Sequence, residues 1–446
     1  MHDTSSTSGT VTPSQRRKVL TSSVIGSVIE WYDYTIYGTA AALVFASQFF
    51  PNFNPATGTL LAFGTFAAGF LARPLGGLVA GHYGDKIGRK AMLVLTLTLM
   101  GVATALIGVL PTYAQIGIWA PTLLIVLRLV QGFAVGGEWG GAVLMAVEYA
   151  PDRKRGFYGS LPQTGVPAGL VLGTGAFALF SLLPDASFDA WGWRVPFLLS
   201  VVLAGVGMYI RFRLADTPNF SEVKEHGQTD KSPLIDVLKT HPKELVVAFF
   251  ARFAEAGNYY IYTVFIIAFL VDYAGADQSA VLTAVVIAAA ADVLAIPFWG
   301  RLSDRFGRRP VLIWGAAFLA ASAYPMFLLA ETGDPLLITI GLTVVLVVGH
   351  AAVYGPLAAF YAELFRPSLR YSGVSIGYQA GSVLLGGFTP LLATSLVVWA
   401  DGSAWPVVLM VAVTSLIAAL TFFLARESHR RSLAEESYDT PEPAKV

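Results

Sequence analysis

Read for apolar and polar positions, the chain falls into twelve apolar runs separated by polar breaks. They lie at about 19–50, 57–82, 90–111, 120–149, 158–184, 194–213, 244–273, 277–301, 310–331, 335–364, 372–399 and 403–425. Each is long enough for a membrane-spanning helix of about twenty residues. Several are longer, which predicts tilt or turns that extend beyond the bilayer. The pattern therefore predicts an all-α membrane protein with twelve transmembrane helices. One break is longer than the rest: 214–243 is polar and holds Pro218, Pro233 and Pro242. It reads as a linker, with room for a short surface helix, between a six-helix bundle at 19–213 and a second at 244–425. Residues 1–18 and 426–446 are polar and are expected to be disordered tails. The first lacks an apolar core and does not read as a cleavable signal.

The two halves repeat one another. The break after the second run reads Gly81-His82-Tyr83-Gly84-Asp85-Lys86-Ile87-Gly88-Arg89-Lys90. The break after the eighth, beginning 219 residues later, reads Gly300-Arg301-Leu302-Ser303-Asp304-Arg305-Phe306-Gly307-Arg308-Arg309. Both follow Gly-x-x-x-Asp-[Lys/Arg]-x-Gly-Arg-[Lys/Arg], and two copies at matching junctions imply duplication. Their glycines suit a tight turn between closely packed helices. Run one carries Glu30, Asp33, Tyr34 and Tyr37; run seven carries Glu255, Asn258, Tyr259 and Tyr262 at the same spacing. At helical periodicity these four positions fall within an arc of roughly 100°, one polar, aromatic stripe per half. Glu148 precedes Arg155 by seven residues, as Glu363 precedes Arg370, and Gln163 and Gln379 come early in runs five and eleven.

Composition agrees with a membrane protein. Of 446 residues 55% are hydrophobic and 13% charged, about half the charge of a soluble chain. The absence of cysteine excludes disulfides and thiolate metal sites. Zero net charge and the lack of a basic motif argue against a nucleic-acid partner. Charge placement predicts orientation. Of 29 Lys and Arg, 25 fall on the side of the tails, signature breaks and linker; the other four are Arg73, Arg128, Arg194 and Arg252. By the positive-inside rule both termini are cytoplasmic.

The repeated break resembles the signature loop of the major facilitator superfamily. Glu30-Trp31-Tyr32-Asp33, Arg73-Pro74-Leu75-Gly76-Gly77, Arg128-Leu129-x-Gln131-Gly132, Gly136-Gly137-Glu138-Trp139-Gly140 and Trp191-Gly192-Trp193-Arg194 resemble its metabolite:proton symporter family, as does Arg370-Tyr371-Ser372-Gly373 followed by Gly377-Tyr378-Gln379. The resemblance implies two pseudo-symmetric six-helix bundles that rock about a midplane site. It implies import of a small organic acid, whether mono-, di- or tricarboxylate or shikimate-like, by proton symport, with protons as the coupling ion and no cofactor. Uptake of a zwitterionic osmolyte such as betaine or proline is the alternative, and a non-transporting membrane sensor is the alternative from another class. A bacterial-type inner membrane and a monomer are expected. No catalytic constellation or metal cluster is present, so an enzyme is not expected.

Ionisable groups inside a membrane are functional candidates, and the alternative for each is a satisfied internal ion pair. Glu30 and Asp33 lie twelve and fifteen residues beyond Lys18, near mid-membrane, and are candidates for proton coupling. Arg73 is the candidate for a substrate carboxylate, because a guanidinium binds it bidentately. Arg128 and Glu138 are assigned to coupling, the first by resemblance to the superfamily's fourth-helix arginine. Asp292, placed in the eighth helix as Arg73 is in the second, is a further proton carrier. Arg252 and Glu255 are spaced to neutralise one another, and His350 reads as a hydrogen-bonded packing residue, with proton or substrate handling as the alternative. Tyr34, Tyr37, Gln163, Asn258, Tyr259, Tyr262 and Gln379 complete the expected substrate site. The gate is expected from Gly81, Asp85, Arg89, Glu148, Gly300, Asp304, Arg308 and Glu363; the family resemblance implies that Glu148 pairs with Arg89 and Glu363 with Arg308, each within its own half.

Overall fold

In the computed structural model the described residues are 13–87, 89–136, 139–151, 153–213, 233–367, 369–429 and 433; the side chains of 13–19, 80–91, 93, 137–142 and 210–236 lie outside that description. Twelve long helical elements follow one another: α1 (Pro13–Leu43), α2 (Pro55–Ile87), α3 (Arg89–Val109), α4 (Trp119–Val135 and Trp139–Glu148), α5 (Arg155–Phe180), α6 (Val195–Arg213), α7 (Pro242–Asp272), α8 (Gln278–Phe306), α9 (Arg308–Ala330), α10 (Pro335–Leu364), α11 (Arg370–Trp399) and α12 (Trp405–Leu424). They form the twelve-helix, two-bundle fold that the apolar runs predict. The linker contributes the short helix Pro233–Thr240. Helix α1 begins at Pro13, inside the stretch expected to be a tail.

Apolar side chains do not drive helices together inside a bilayer, so close backbone approach does. Glycine supplies it where α2 crosses α4. A Cβ on Gly132 would sit 1.8 Å from the Gly69 carbonyl oxygen, and one on Gly69 would sit 2.6 Å from Arg128 Nε. Gly69 therefore makes the room in which the Arg128 side chain lies across α2. The halves meet in the same way where α5 crosses α8. A Cβ on Gly156 would come within 2.3 Å of the Gly300 carbonyl oxygen, and one on Gly300 within 2.6 Å of Gly156 oxygen. Gly300 thus serves a helix crossing rather than the turn expected of it. The turn belongs to Gly307, whose φ of +105° is in the region that favours glycine.

The halves differ in helix geometry. Among the described residues every π-helical stretch lies in the second half: Phe253–Gly257 and Ile261–Phe265 in α7, Val345–His350 in α10 and Ser382–Gly387 in α11. Each widened turn takes an extra residue, so the face that follows is rotated by about 100° from an unbroken α-helix.

Candidate functional site

The deepest polar cluster belongs to α1, α2, α3 and α4. Glu30, Asp33, Tyr34, Arg73 and Arg128 are all buried. Two guanidiniums share the Tyr34 ring: Arg73 Cζ lies 4.2 Å from its centroid and Arg128 Cζ 4.0 Å. Arg73 also lies 4.3 Å from the Phe70 ring, and Arg128 4.1 Å from that of Tyr37. Neither guanidinium makes an ion pair among the described residues, and Arg73 Nε, Arg128 Nε and Arg128 Nη2 have no hydrogen-bond partner there. Glu30 acts on Arg73 through space. Ring faces offset part of a buried cation's desolvation, but they do not neutralise it.

Asp33 lies beside Thr104, whose hydroxyl donates to the Met100 carbonyl at 2.8 Å. Gln131 Nε2 donates to Thr104 Oγ1 at 2.7 Å, and Arg128 Nη1 donates to Gln131 Oε1 at 3.2 Å. Thr104 and Gln131 are functional candidates that the sequence reading did not single out. The available signal was the spacing of Gln131 three residues after Arg128, which puts both on one helix face.

The second half holds two separate buried pairs. Arg252 and Glu255 form an ion pair, and Arg252 Nη2 donates to Ser382 at 2.9 Å. In the other, His350 Nδ1 lies 2.9 Å from Asp292 Oδ2, with both side chains inaccessible. The imidazole is stacked with Tyr259 at 4.7 Å and Tyr354 at 5.2 Å. His350 is thus hydrogen-bonded to a buried carboxyl.

The remaining expected substrate residues are dispersed. Tyr37 donates to Thr65 at 2.7 Å. Asn258, expected at the substrate, donates to the Ala254 carbonyl and to Ser415 of α12, so it ties helices of its own bundle together. Tyr262 packs against Phe327 of α9. Instead Tyr260, one position off the expected stripe, faces Phe66 and Phe70 of the first half at 5.7 and 5.6 Å. The two glutamines act alike across the halves: Gln163 donates to the Tyr354 carbonyl of α10, and Gln379 to the Gly136 carbonyl that follows the first segment of α4, at 2.8 Å.

At the end that carries the signature breaks, Arg308 Nη2 donates to Glu363 Oε1 at 3.1 Å, and Arg308 Nη1 to Asp304 Oδ1 at 2.8 Å. Asp304 also crosses between halves. Its two oxygens accept the backbone N–H groups of Gly156 and Phe157, at 2.8 and 2.9 Å, where α5 begins. Glu148 accepts Arg370 Nη1 of the other half at 3.3 Å; its expected pairing with Arg89 lies outside the described side chains. Gly81, Asp85, Arg89 and Glu138 lie outside the residues whose side chains are described. The segment after α12, expected to be a disordered tail, instead docks on this network where it is described. Glu427 accepts the backbone N–H groups of Arg308 and Arg309, Ser428 donates to Glu363 at 2.7 Å, and the Leu433 carbonyl accepts Arg370 Nη2 at 2.8 Å. Burial alone would raise the Glu427 carboxyl, but the backbone N–H groups around it hold it below the usual glutamate range. A carboxylate at two free N–H groups of a helix start is a favourable cap, which explains why this polar segment is ordered.

Residues 19–246 match the family described as "Sugar (and other) transporter", and residues 248–444 match "Major Facilitator Superfamily". The chain is 41% identical over 425 residues to the shikimate transporter of Escherichia coli (strain K12), covering 95% of this chain and 97% of that one. It is 36% identical over 420 residues to the proline/betaine transporter of the same organism, covering 91% and 83%. Its fold matches the solved proton:xylose symporter XylE bound to 6-bromo-6-deoxy-D-glucose with a TM-score of 0.73, at 16% identity, covering 95% of this chain and 98% of that one.

Proposed function

The chain belongs to the major facilitator superfamily, a secondary transporter and not an enzyme, and we propose that it imports a small organic acid together with protons. The observation that carries this reading is the pair of buried guanidiniums at Tyr34 with no carboxylate in ion-pair contact among the described residues. Two guanidiniums in a membrane interior with no carboxylate in direct contact leave a place for an anion. A carboxylate meets that requirement, and the planar fork of Arg73 suits it bidentately. The shikimate transporter relationship supports an acid as cargo.

The proton enters through charge balance. Glu30 and Asp33 offset Arg73 and Arg128 while no substrate is bound. Protonating Asp33 removes one negative charge from the cluster that holds Arg73 and Arg128. The site then has an excess positive charge for an entering carboxylate. Protonation first and anion second avoids placing a third carboxylate beside two ionised ones. The basic signature breaks face the cytoplasm in this reading, in a bacterial-type inner membrane.

The test is uptake of labelled shikimate into proteoliposomes. An inward proton gradient should drive accumulation, and an uncoupler should abolish it. Arg73→Lys should lose most uptake although it keeps the charge, because an ammonium lacks the fork. Uptake indifferent to the uncoupler refutes proton coupling. Transport of betaine with none of any carboxylate refutes the acid cargo.

A further inference from the structure

The second half carries its own proton-binding chemistry, on helices that take no part in the Arg73–Arg128 cluster. Asp292 projects from α8, and His350 ends the π-helical stretch Val345–His350 of α10. Their contact is a single hydrogen bond of 2.9 Å, and each retains a buried polar atom without a partner: Asp292 Oδ1 and His350 Nε2. The groups that face the pair are Tyr259 of α7 and Tyr354, one turn along α10. No other charged side chain contacts either member among the described residues.

The possible charge states differ sharply in free energy. With a carboxylate and a neutral imidazole, the pair leaves one unpaired negative charge buried in the membrane. With one proton, as carboxylate and imidazolium or as carboxylic acid and neutral imidazole, it is neutral overall and hydrogen-bonded. The dehydrated pair therefore retains one proton. Water reaching Asp292 would hydrate the carboxylate and release that proton. Opening to either side of the membrane supplies such water.

We propose that Asp292 and His350 form a second proton-carrying site, held by the second half and independent of Asp33. Its ligand is a proton bound while the site is closed to water and released on opening. The transport consequence rests on the proton-symport reading above; the protonation does not.

Both can be tested separately. The full-length protein, labelled with nitrogen-15 in histidine and held in lipid nanodiscs without substrate, is read by NMR at about pH 6.5, the ordinary titration point of a histidine. The His350 signals are those that vanish in His350→Gln. In the parent they should show either both ring nitrogens protonated or a neutral ring protonated at Nε2 whose Nδ1 accepts from the Asp292 acid, and in Asp292→Asn they should show the neutral ring. A parent ring protonated only at Nδ1, the form that donates to a carboxylate, overturns the proposal, as does a doubly protonated ring in both proteins. Should Asp292→Asn fail to fold, the parent spectrum alone decides. In proteoliposomes, with shikimate as the probe, the ratio of proton to shikimate influx should fall by about one in His350→Gln. An unchanged ratio overturns the carrier role. Failure of shikimate to be transported would count against the acid reading and leave the NMR result standing.

Discussion

Replacing Asp304 by Asn should release the contact between halves at the signature-break end. Three interactions meet at this carboxylate: the N–H groups of Gly156 and Phe157 and the guanidinium of Arg308. Its side chain is only 8% exposed, so solvent screening is weak. A hydrogen bond to a charged group contributes about 1.5–3 kcal/mol. Asparagine keeps one acceptor oxygen, but its amide NH2 meets a second donor and the charge opposite Arg308 and the α5 start is gone. The net loss is about 3 kcal/mol, roughly a hundredfold in the ratio of closed to open. The chain has no cysteine, so Lys154→Cys and Arg366→Cys, both at exposed positions on opposite halves, give a clean spin-label pair. Electron–electron resonance distances should move from a short population in the parent to a longer one in Asp304→Asn. Identical distributions in the parent, Asp304→Asn and Asp304→Ala would refute the argument, because the carboxylate would then hold nothing closed.

Four further outcomes follow from the same geometry. Gly69→Ala should displace Arg128, whose Nε lies 2.6 Å from the new methyl position, and abolish shikimate uptake with a monodisperse gel-filtration profile retained; Gly132→Ala, which drives a methyl into backbone, should fail to yield monodisperse protein. Thr104→Val should remove the acceptor of Gln131 Nε2, free the amide that holds Arg128, and reduce shikimate uptake with a monodisperse gel-filtration profile retained. Glu148 is half exposed, so a double-mutant cycle with Arg370 should return less than about 1 kcal/mol in detergent melts. Glu427 sits below the usual glutamate range when folded, so its contribution is present above that range and is lost as pH falls through the folded value; the hydrogen-exchange protection factors of the Arg308 and Arg309 amides, corrected for the intrinsic rate, should fall on acidification in the parent and be low at every pH in Glu427→Gln.

The span count, the two halves and the identity of the buried charges were legible in the sequence because the bilayer imposes them. A hydrocarbon layer demands long apolar runs, and any ionisable residue within one stands out. Arg73, Arg128, Glu30, Asp33 and Asp292 were found that way. Which of them meet was decided only in the folded chain. Arg128 reaches Tyr34 because Gly69 leaves room for it, a contact between helices that no single-helix periodicity contains. On α7 the π-helical stretch Phe253–Gly257 shifts the face that follows it; Asn258 there meets Ser415, and Tyr260 faces the other half. Glu148 with Arg370, and Asp304 with the start of α5, join residues 222 and 148 positions apart. A duplicated sequence shows what each half can pair within itself. The partners exchanged between halves depend on how the two bundles dock, and that is settled by glycine-lined helix crossings in three dimensions.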